Sequence, residues 1–371
     1  MKFIVIRTNL KDGISVIDRV GGVNLNLPIL KNTLIEVSNN KIKLTATDLE
    51  IAINYFVSGK IIENGSVTVP ISVLSSVINN IQSDRLNIEK KSGNKLLIKT
   101  DNYEAVIHGS PIDDFPITPK IDESNGYLET KSDLLKEAIN QVLVSTQFSD
   151  LRPELNSVLF NFDLENLKLA ATDSFRLSEK RINKDKLGTN RNNGFRIMVP
   201  LKTASELSRS LREDETVRIY NNENQILFKT NQFELLSRLI EGNFPDYEAI
   251  IPKKFDAEII INKQELTNAI KLAGIFGSKN HEIKIVPRDG KKVIEIKSSD
   301  QALGENNYIL SAKVDGSFKE TIFNWRYIMD VLKVLNGEEV QFSINNDGNP
   351  AQIKDSGDGS YFYILKPISE V

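Results

Sequence analysis

The phrase "ATD" occurs twice, at 46–48 in "LTATDLEIAI" and at 171–173 in "LAATDSFRL", and a carboxylate repeated in matching surroundings is the first candidate for chemistry. Two converging carboxylates can act as general acid and base. Asp48 and Asp173 are 125 residues apart, however, and the sequence around each is copied with it. That pattern points to a duplicated structural unit, in which each Asp ends a strand and accepts backbone N–H groups in the following turn. A hydrolase built on Asp48 or Asp173 stays open as an alternative.

Other chemistries find little support. With no cysteine, thiolate nucleophiles, thiolate metal sites and disulfides are closed. His108 and His281 have no further ligand at metal-binding spacing. No phosphate loop, dinucleotide fingerprint or nucleophile elbow is present. "KDSGDGS" (354–360) lacks the ligand spacing and terminal Glu of a calcium loop and reads as a hairpin turn. Asp113 and Asp114 in "PIDDFP" read as part of a solvated linker. The expectation is a non-catalytic protein without metal or cofactor.

A chain of 371 residues exceeds one ordinary core. Its 26% charged and 40% hydrophobic content is that of a folded globular protein. No apolar run reaches membrane-span length and the start "MKFIVIRTNLKDG" lacks a signal core, so a cytoplasmic protein with no membrane partner is expected. The net charge of −3 argues against coating nucleic acid by bulk attraction but allows a local basic surface.

Aligning the two "ATD" phrases brings their neighbours into line. "TVPISVLSSVINNI" matches "MVPLKTASELSRSL", and "LLIKTDNYEAVIHGSPIDDFPIT" matches "ILFKTNQFELLSRLIEGNFPDYEAI". A weaker third copy follows, with "IEIKSSDQALGENNYIL" placing Asp300 127 residues beyond Asp173. The reading is three domains, 1–125, 126–253 and 254–371. Each contains two amphipathic helices, predicted over 8–20, 70–81, 131–144, 200–212, 263–280 and 324–336. The inward faces are Leu10, Ile14 and Ile17 in the first, and Leu134, Ala138 and Val142 in the third. Alternating segments such as "KIKLTATD" and "KLLIKT" read as hairpin strands. The fold class is α+β: three tandem similar domains, each with two helices packed on antiparallel sheets. The predicted helices hold twelve Lys and Arg against seven Asp and Glu. A shared helical surface of that kind suits sequence-blind phosphate contact.

Over essentially its full length the chain resembles the bacterial DNA sliding clamps, the β subunit family of DNA polymerase III. The phrases that carry the resemblance, in order, are "LPILKNTLIEV", "LTATDLEI", "TVP", "DDFP", "ATDSFRL", "NFPDY", "FNWRYIMDVL" and the terminal "YILKPI". The resemblance implies the DNA clamp fold: a crescent of three domains that pairs head to tail with a second copy into a ring, helices inside and sheets outside. It implies retention on double-stranded DNA, opening by an ATP-driven clamp loader, and tethering of the replicative polymerase and other enzymes through short peptides. A non-catalytic three-domain scaffold that binds peptides or a ligand without DNA is the alternative.

Carried onto this sequence, the peptide groove involves Thr172, Arg176 and Leu177, Pro245 and Ile250, Asn324 and Tyr327, and Ile364, Leu365, Pro367 and Ile368. Without the resemblance, Leu177, Ile250 and Ile364 read as ordinary inter-domain core. DNA-facing candidates are Arg152, Lys202, Arg209 and Lys271. Three features depart from the family pattern. Lys366 stands where Met is common beside the terminal Pro, and Ser174 and Phe175 where smaller or more polar residues are common, which leaves the preferred peptide open. Asn24 replaces a basic residue that touches DNA in relatives.

Overall fold

The structure, a computed structural model, describes residues 1–21, 27–38, 40–147, 152–288 and 292–368. The Asn24 position lies outside the described residues. Six helices form among the described residues where the apolar periodicity placed them: α1 (Arg7–Ile17), α2 (Ile71–Asn80), α3 (Ser132–Leu143), α4 (Leu201–Ser210), α5 (Lys263–Ile275) and α6 (Trp325–Leu332). Helix α1 buries Leu10, Ile14 and Ile17 as expected. In α3 the inward face is Leu135, Ala138, Ile139 and Val142. The stripe is therefore centred one residue on from Leu134, which is only half-buried.

Helix α5 stops at Ile275, short of the predicted 280. Gly274 there presses against Trp325, and a Cβ at that glycine would come within 3.1 Å of the indole ring. The observed helices carry eight Lys and Arg against six Asp and Glu. Most of the basic excess expected from the longer predicted spans lies beyond the helix ends, so the helical surface is close to neutral.

The chain divides into two compact units. The first comprises Met1–Leu135, Leu187–Asn192 and Lys202–Leu239, and the second Lys136–Lys186, Asn193–Leu201 and Ile240–Val371. The first holds a five-stranded antiparallel sheet, ordered Gly59–Glu63, Lys2–Ile6, Arg85–Lys91, Lys95–Lys99, Glu104–His108. It also holds a nine-stranded sheet ordered Leu187–Thr189, Leu128–Lys131, Thr216–Asn221, Gln225–Lys229, Phe233–Arg238, Ile51–Val57, Lys41–Thr47, Asn32–Ser38, Gly65–Pro70. Helices α1 and α2 pack on each other in this unit.

The second unit has a nine-stranded sheet ordered Phe195–Pro200, Ser157–Phe162, Asn166–Thr172, Arg176–Asn183, Tyr361–Leu365, Ala351–Asp355, Glu339–Ile344, Ala257–Asn262, Lys313–Gly316. Its second sheet is four-stranded, ordered Gly304–Ser311, Val293–Asp300, Glu282–Pro287, Thr321–Asn324. Helices α5 and α6 pack together here. The segment read as a hairpin turn at 354–360 joins Ala351–Asp355 to Tyr361–Leu365.

Each nine-stranded sheet is a composite of two repeat copies. In the first unit the last strand of the second copy lies antiparallel to the strand that follows the first "ATD", pairing Phe233 with Tyr55 through Ser237 with Ile51. In the second unit the last strand of the third copy meets the strand that follows the second "ATD", pairing Arg176 with Leu365 through Lys180 with Tyr361. The two seams match bond for bond: Arg238 N–H donates to Glu50 O at 3.0 Å, and Lys366 N–H to Phe175 O at 2.9 Å. Backbone pairing thus puts each "ATD" turn at a seam between copies.

Segments leading from one copy to the next cover the outer face of each seam. Ile121 packs with Ala52, Leu227 and Leu236 in the first unit. Phe244 and Tyr247 pack with Leu177, Met198 and Ile364 in the second. Tyr247 also donates its hydroxyl to the buried Glu179 carboxylate at 2.6 Å. The segment after "DDFP" thus contributes an apolar staple through Ile121, and "NFPDY" one with a polar tip at Tyr247.

Candidate partner-binding site

The two "ATD" turns are built alike. At the first, Asp48 Oδ1 accepts the N–H groups of Glu50 and Ile51 at 3.0 and 2.7 Å, while Thr47 Oγ1 donates to Ile51 O. At the second, Asp173 Oδ1 accepts from Phe175 and Arg176 at 3.0 and 2.9 Å, and Thr172 Oγ1 donates to Arg176 O at 2.7 Å. The residue after each Asp, Leu49 or Ser174, sits at positive φ, and these bonds hold it there. Asp300 accepts from Ala302 and Leu303 in the same manner. In all three copies the repeated carboxylate thus braces its turn.

What differs is the outward oxygen. Asp48 Oδ2 pairs with Lys202 of α4. Asp173 Oδ2 instead takes Arg176 Nε at 2.8 Å, and Arg176 Nη1 continues to Asp330 Oδ2 of α6 at 2.8 Å. The guanidinium lies 4.2 Å from the centre of the Tyr327 ring. Burial alone would lower the Arg176 pKa; Tyr363, Asp330 and Asp173 around it reverse the sign and raise it above the ordinary guanidinium value. Arg176 is thus a fixed strut between the turn and α6.

The expected groove residues sort by exposure. Thr172 is buried and committed to the turn. Leu177 and Ile364 are 1% and 3% exposed and share one cluster with Phe244 and Tyr247. Leu365 is fully buried in the core that contains Ile328 and Val331. Leu177 and Ile364 are packed side chains, in keeping with the reading of ordinary core, whereas Ile250, which that reading also placed in the core, is exposed; Leu365 is buried on the opposite face of the same strands. Pro245 and Tyr327 are half-buried, and Asn324 caps α6 by accepting Arg326 N–H at 3.0 Å. Pro367 is buried, and Ile368 is held to Ile322 O through its N–H at 2.8 Å. Ile250, 53% exposed, follows the staple as a free apolar side chain.

Backbone and side-chain bonds therefore join Thr172, Arg176, Tyr327, Leu365 and, through α6, Asn324. Leu177 and Ile364 meet on the other side of the same two strands. The largest free apolar surface at the turn is Phe175, 56% exposed. Asp330 was invisible to motif reading; its signal is the helical spacing from Tyr327, which sets both on one face of α6.

The cationic candidates are less available than their sequence implies. Arg209 pairs with Glu206 at 2.9 Å and Lys202 with Asp48. Arg152 is not on a helix: it pairs with Glu154 at 3.0 Å and donates to Ser174 Oγ at 3.2 Å, beside the second turn. Lys271, on α5, is exposed and has no ion-pair partner among the described residues.

Family models for the three domains of the DNA polymerase III beta subunit match in succession: the N-terminal domain at 1–119, the central at 129–246 and the C-terminal at 248–369. The chain belongs to the DNA polymerase III beta subunit family. Among its relatives, the beta sliding clamp of Bacillus subtilis is 27% identical, with 99% of each chain covered. That of Staphylococcus aureus is 27% identical over 92% of each. The fold matches the crystal structure of the Bacillus subtilis DNA polymerase sliding clamp with a TM-score of 0.92 at 27% identity. It matches a Pseudomonas aeruginosa sliding clamp bound to griselimycin with a TM-score of 0.93 at 25% identity. Both comparisons cover all of each chain. The family thus accounts for the three tandem α+β copies. No helix among the described residues is long and apolar enough to cross a membrane.

Proposed function

We propose that this chain is a processivity clamp, two copies of which close head to tail around duplex DNA and tether the replicative polymerase and other DNA-processing enzymes. It acts without catalysing a reaction, works in the cytoplasm, and is opened by the clamp loader. We place the three domains at 1–125, 126–253 and 254–371.

The observation that carries the reading is a pair of complementary half-sheets. Each nine-stranded sheet joins the five strands of one copy to the four strands of the copy before it. The five strands of the first copy, ending at Glu104–His108, and the four strands of the third, beginning at Gly304–Ser311, are the halves left over. Among the described residues Glu104–His108 pairs only with Lys95–Lys99, and Gly304–Ser311 only with Val293–Asp300. Exposed edges of this kind invite pairing. Joining them between two copies repeats the seam twice more and closes the assembly with no edge of this kind left over.

The repeat also fixes the register. Leu177 lies opposite Thr172 within its own copy and opposite Ile364 across the seam. Glu305, opposite Ser299, holds the place of Leu177, and Val106 holds that of Ile364. Val106 of one copy therefore faces Glu305 of the other.

Because the chain has no cysteine, a Val106→Cys, Glu305→Cys variant contains only the two engineered thiols. Directly opposed antiparallel residues sit about 4.5–5.5 Å apart at Cα, within disulfide reach. On oxidation it should run as a covalent dimer and stay on nicked circular DNA until the DNA is linearised. A monomeric product, or equal retention on linear DNA, counts against the ring.

The groove of this clamp is the surface around the second turn: Phe175, Ile250, Pro245, Tyr327 and Ile368, braced by Leu177 and Ile364 packed on one face of the seam strands and Leu365 on the other. Partner peptides dock there. Ring closure lets weak inner contacts suffice for DNA, which fits a near-neutral helical surface.

A further inference from the structure

Lys366 sits at the rim of the second turn, its own N–H bonded to Phe175 O at 2.9 Å. Its side chain is exposed and has no carboxylate partner among the described residues. The nearby acids are already engaged. Asp173 divides its oxygens between two backbone N–H groups and Arg176. Asp330 pairs with Arg176 through one oxygen and with Lys333 through the other, at 3.0 Å. On the opposite side of the turn, Arg152 is matched by Glu154. The rim beside Phe175, the most exposed aromatic ring of the turn, therefore carries a positive charge with no carboxylate partner among the described residues. The staple side carries the exposed acids Asp246 and Glu248, the latter only loosely paired to Lys168 at 3.8 Å.

We propose that Lys366 selects the partner peptide by charge: the groove takes a short segment whose apolar anchors cover Phe175 and Ile250 and whose Asp or Glu lies against Lys366. This rests on the reading of the surface as a peptide groove. Charge complementarity at a rim acts on specificity and encounter more than on raw affinity, and an exposed pair contributes little by itself. A basic residue at the same place would face Lys366 itself, with Asp173 and Asp330 already engaged.

The test is selection of a phage-displayed library of random decapeptides on the full chain, on Lys366→Glu and on Ile250→Lys. Both substituted side chains are exposed, so the fold should survive. Peptides enriched on the parent should carry Asp or Glu beside their apolar residues. Those enriched on Lys366→Glu should carry Lys or Arg instead. The best parent peptide should bind Lys366→Glu about three- to fivefold more weakly by fluorescence anisotropy at low salt, with the gap closing as salt rises. Peptides that need Ile250 but show the same charge bias on parent and Lys366→Glu would overturn the role of Lys366 and leave the groove standing. No enrichment on the parent, or binding indifferent to Ile250→Lys, would overturn both.

Discussion

Arg176 Nη1 and Asp330 Oδ2, contributed by the second and third copies, lie 2.8 Å apart across the seam of the second unit. The equivalent turn of the first copy is tied to α4 by a lysine on the helix, Lys202, reaching Asp48 on the turn. The ion pair is thus reversed in direction between the two seams. At the second, the cation comes from the turn strand and spreads over Tyr327, leaving Phe175 to stand outward. That difference explains why two copies of one turn need not share a function.

Removing the strut should cost stability as well as binding. The Arg176 side chain is 11% exposed and that of Asp173 2%, so Arg176→Met strands a buried carboxylate. A loss of about 2–4 kcal/mol is expected, read as a lower melting transition and faster amide exchange in 361–365. Asp330→Asn, which keeps an acceptor, should cost about 1 kcal/mol or less.

Tyr247 fastens the second staple to Glu179, whose carboxylate also meets Arg181 at 3.5 Å. Burial first, and then the bond to Glu179, push the Tyr247 hydroxyl well above the usual phenol range, so it remains a donor at all working pH. Tyr247→Phe should destabilise by about 1.5–3 kcal/mol and open the 241–256 segment to limited proteolysis. Unchanged cleavage would show that the apolar contacts of Phe244 hold the staple without the hydrogen bond.

Acid should weaken the third copy through Glu295. Arg288 holds it by two hydrogen bonds of 2.9 Å, which bring its carboxyl down to about 2 from an ordinary value of 4.5. A group with a depressed folded pKa stabilises above its unfolded value, and that contribution is lost as pH falls through the window from 4.5 towards 2. Glu295→Gln should flatten the melting temperature against pH in that window and leave the profile above it parallel to the parent.

DNA contact should follow the unpaired cation. Lys271→Ala is expected to reduce the dependence of log affinity on log salt by about 0.9, the loss of one phosphate contact, for the full chain on a primed duplex. Lys202→Ala and Arg209→Ala should change that slope less, because each side chain is already matched by a carboxylate.

The local pattern of the chain was legible because short-range physics sets it. Apolar spacing located the six described helices, and the turn role of Asp48 and Asp173 followed from what an Asp does before a tight turn. Helix ends were read too long, as at α5, which stops at Ile275 just past the Gly274–Trp325 contact. Leu134 was preferred to Leu135 because a difference of one position barely changes an amphipathic pattern that the core then fixes.

The sequence by itself determined the threefold copy, the α+β elements and the place of each "ATD" turn, since all are repeated locally and need no partner. Tertiary structure decided what those turns do. Only backbone pairing between copies brings Arg176 beside Leu365, and only that seam brings Asp330 and Tyr327 to Arg176. It also decided which apolar residues are packed and which are surface. Leu177, Ile364 and Leu365 resemble Phe175 and Ile250 in composition, yet the pleat and the staple bury the first three and leave the other two outside. Burial is a property of the neighbours a residue acquires: Leu177 gains Ile364 from the third copy across the seam, while Phe244 and Tyr247 reach it from the staple of its own copy.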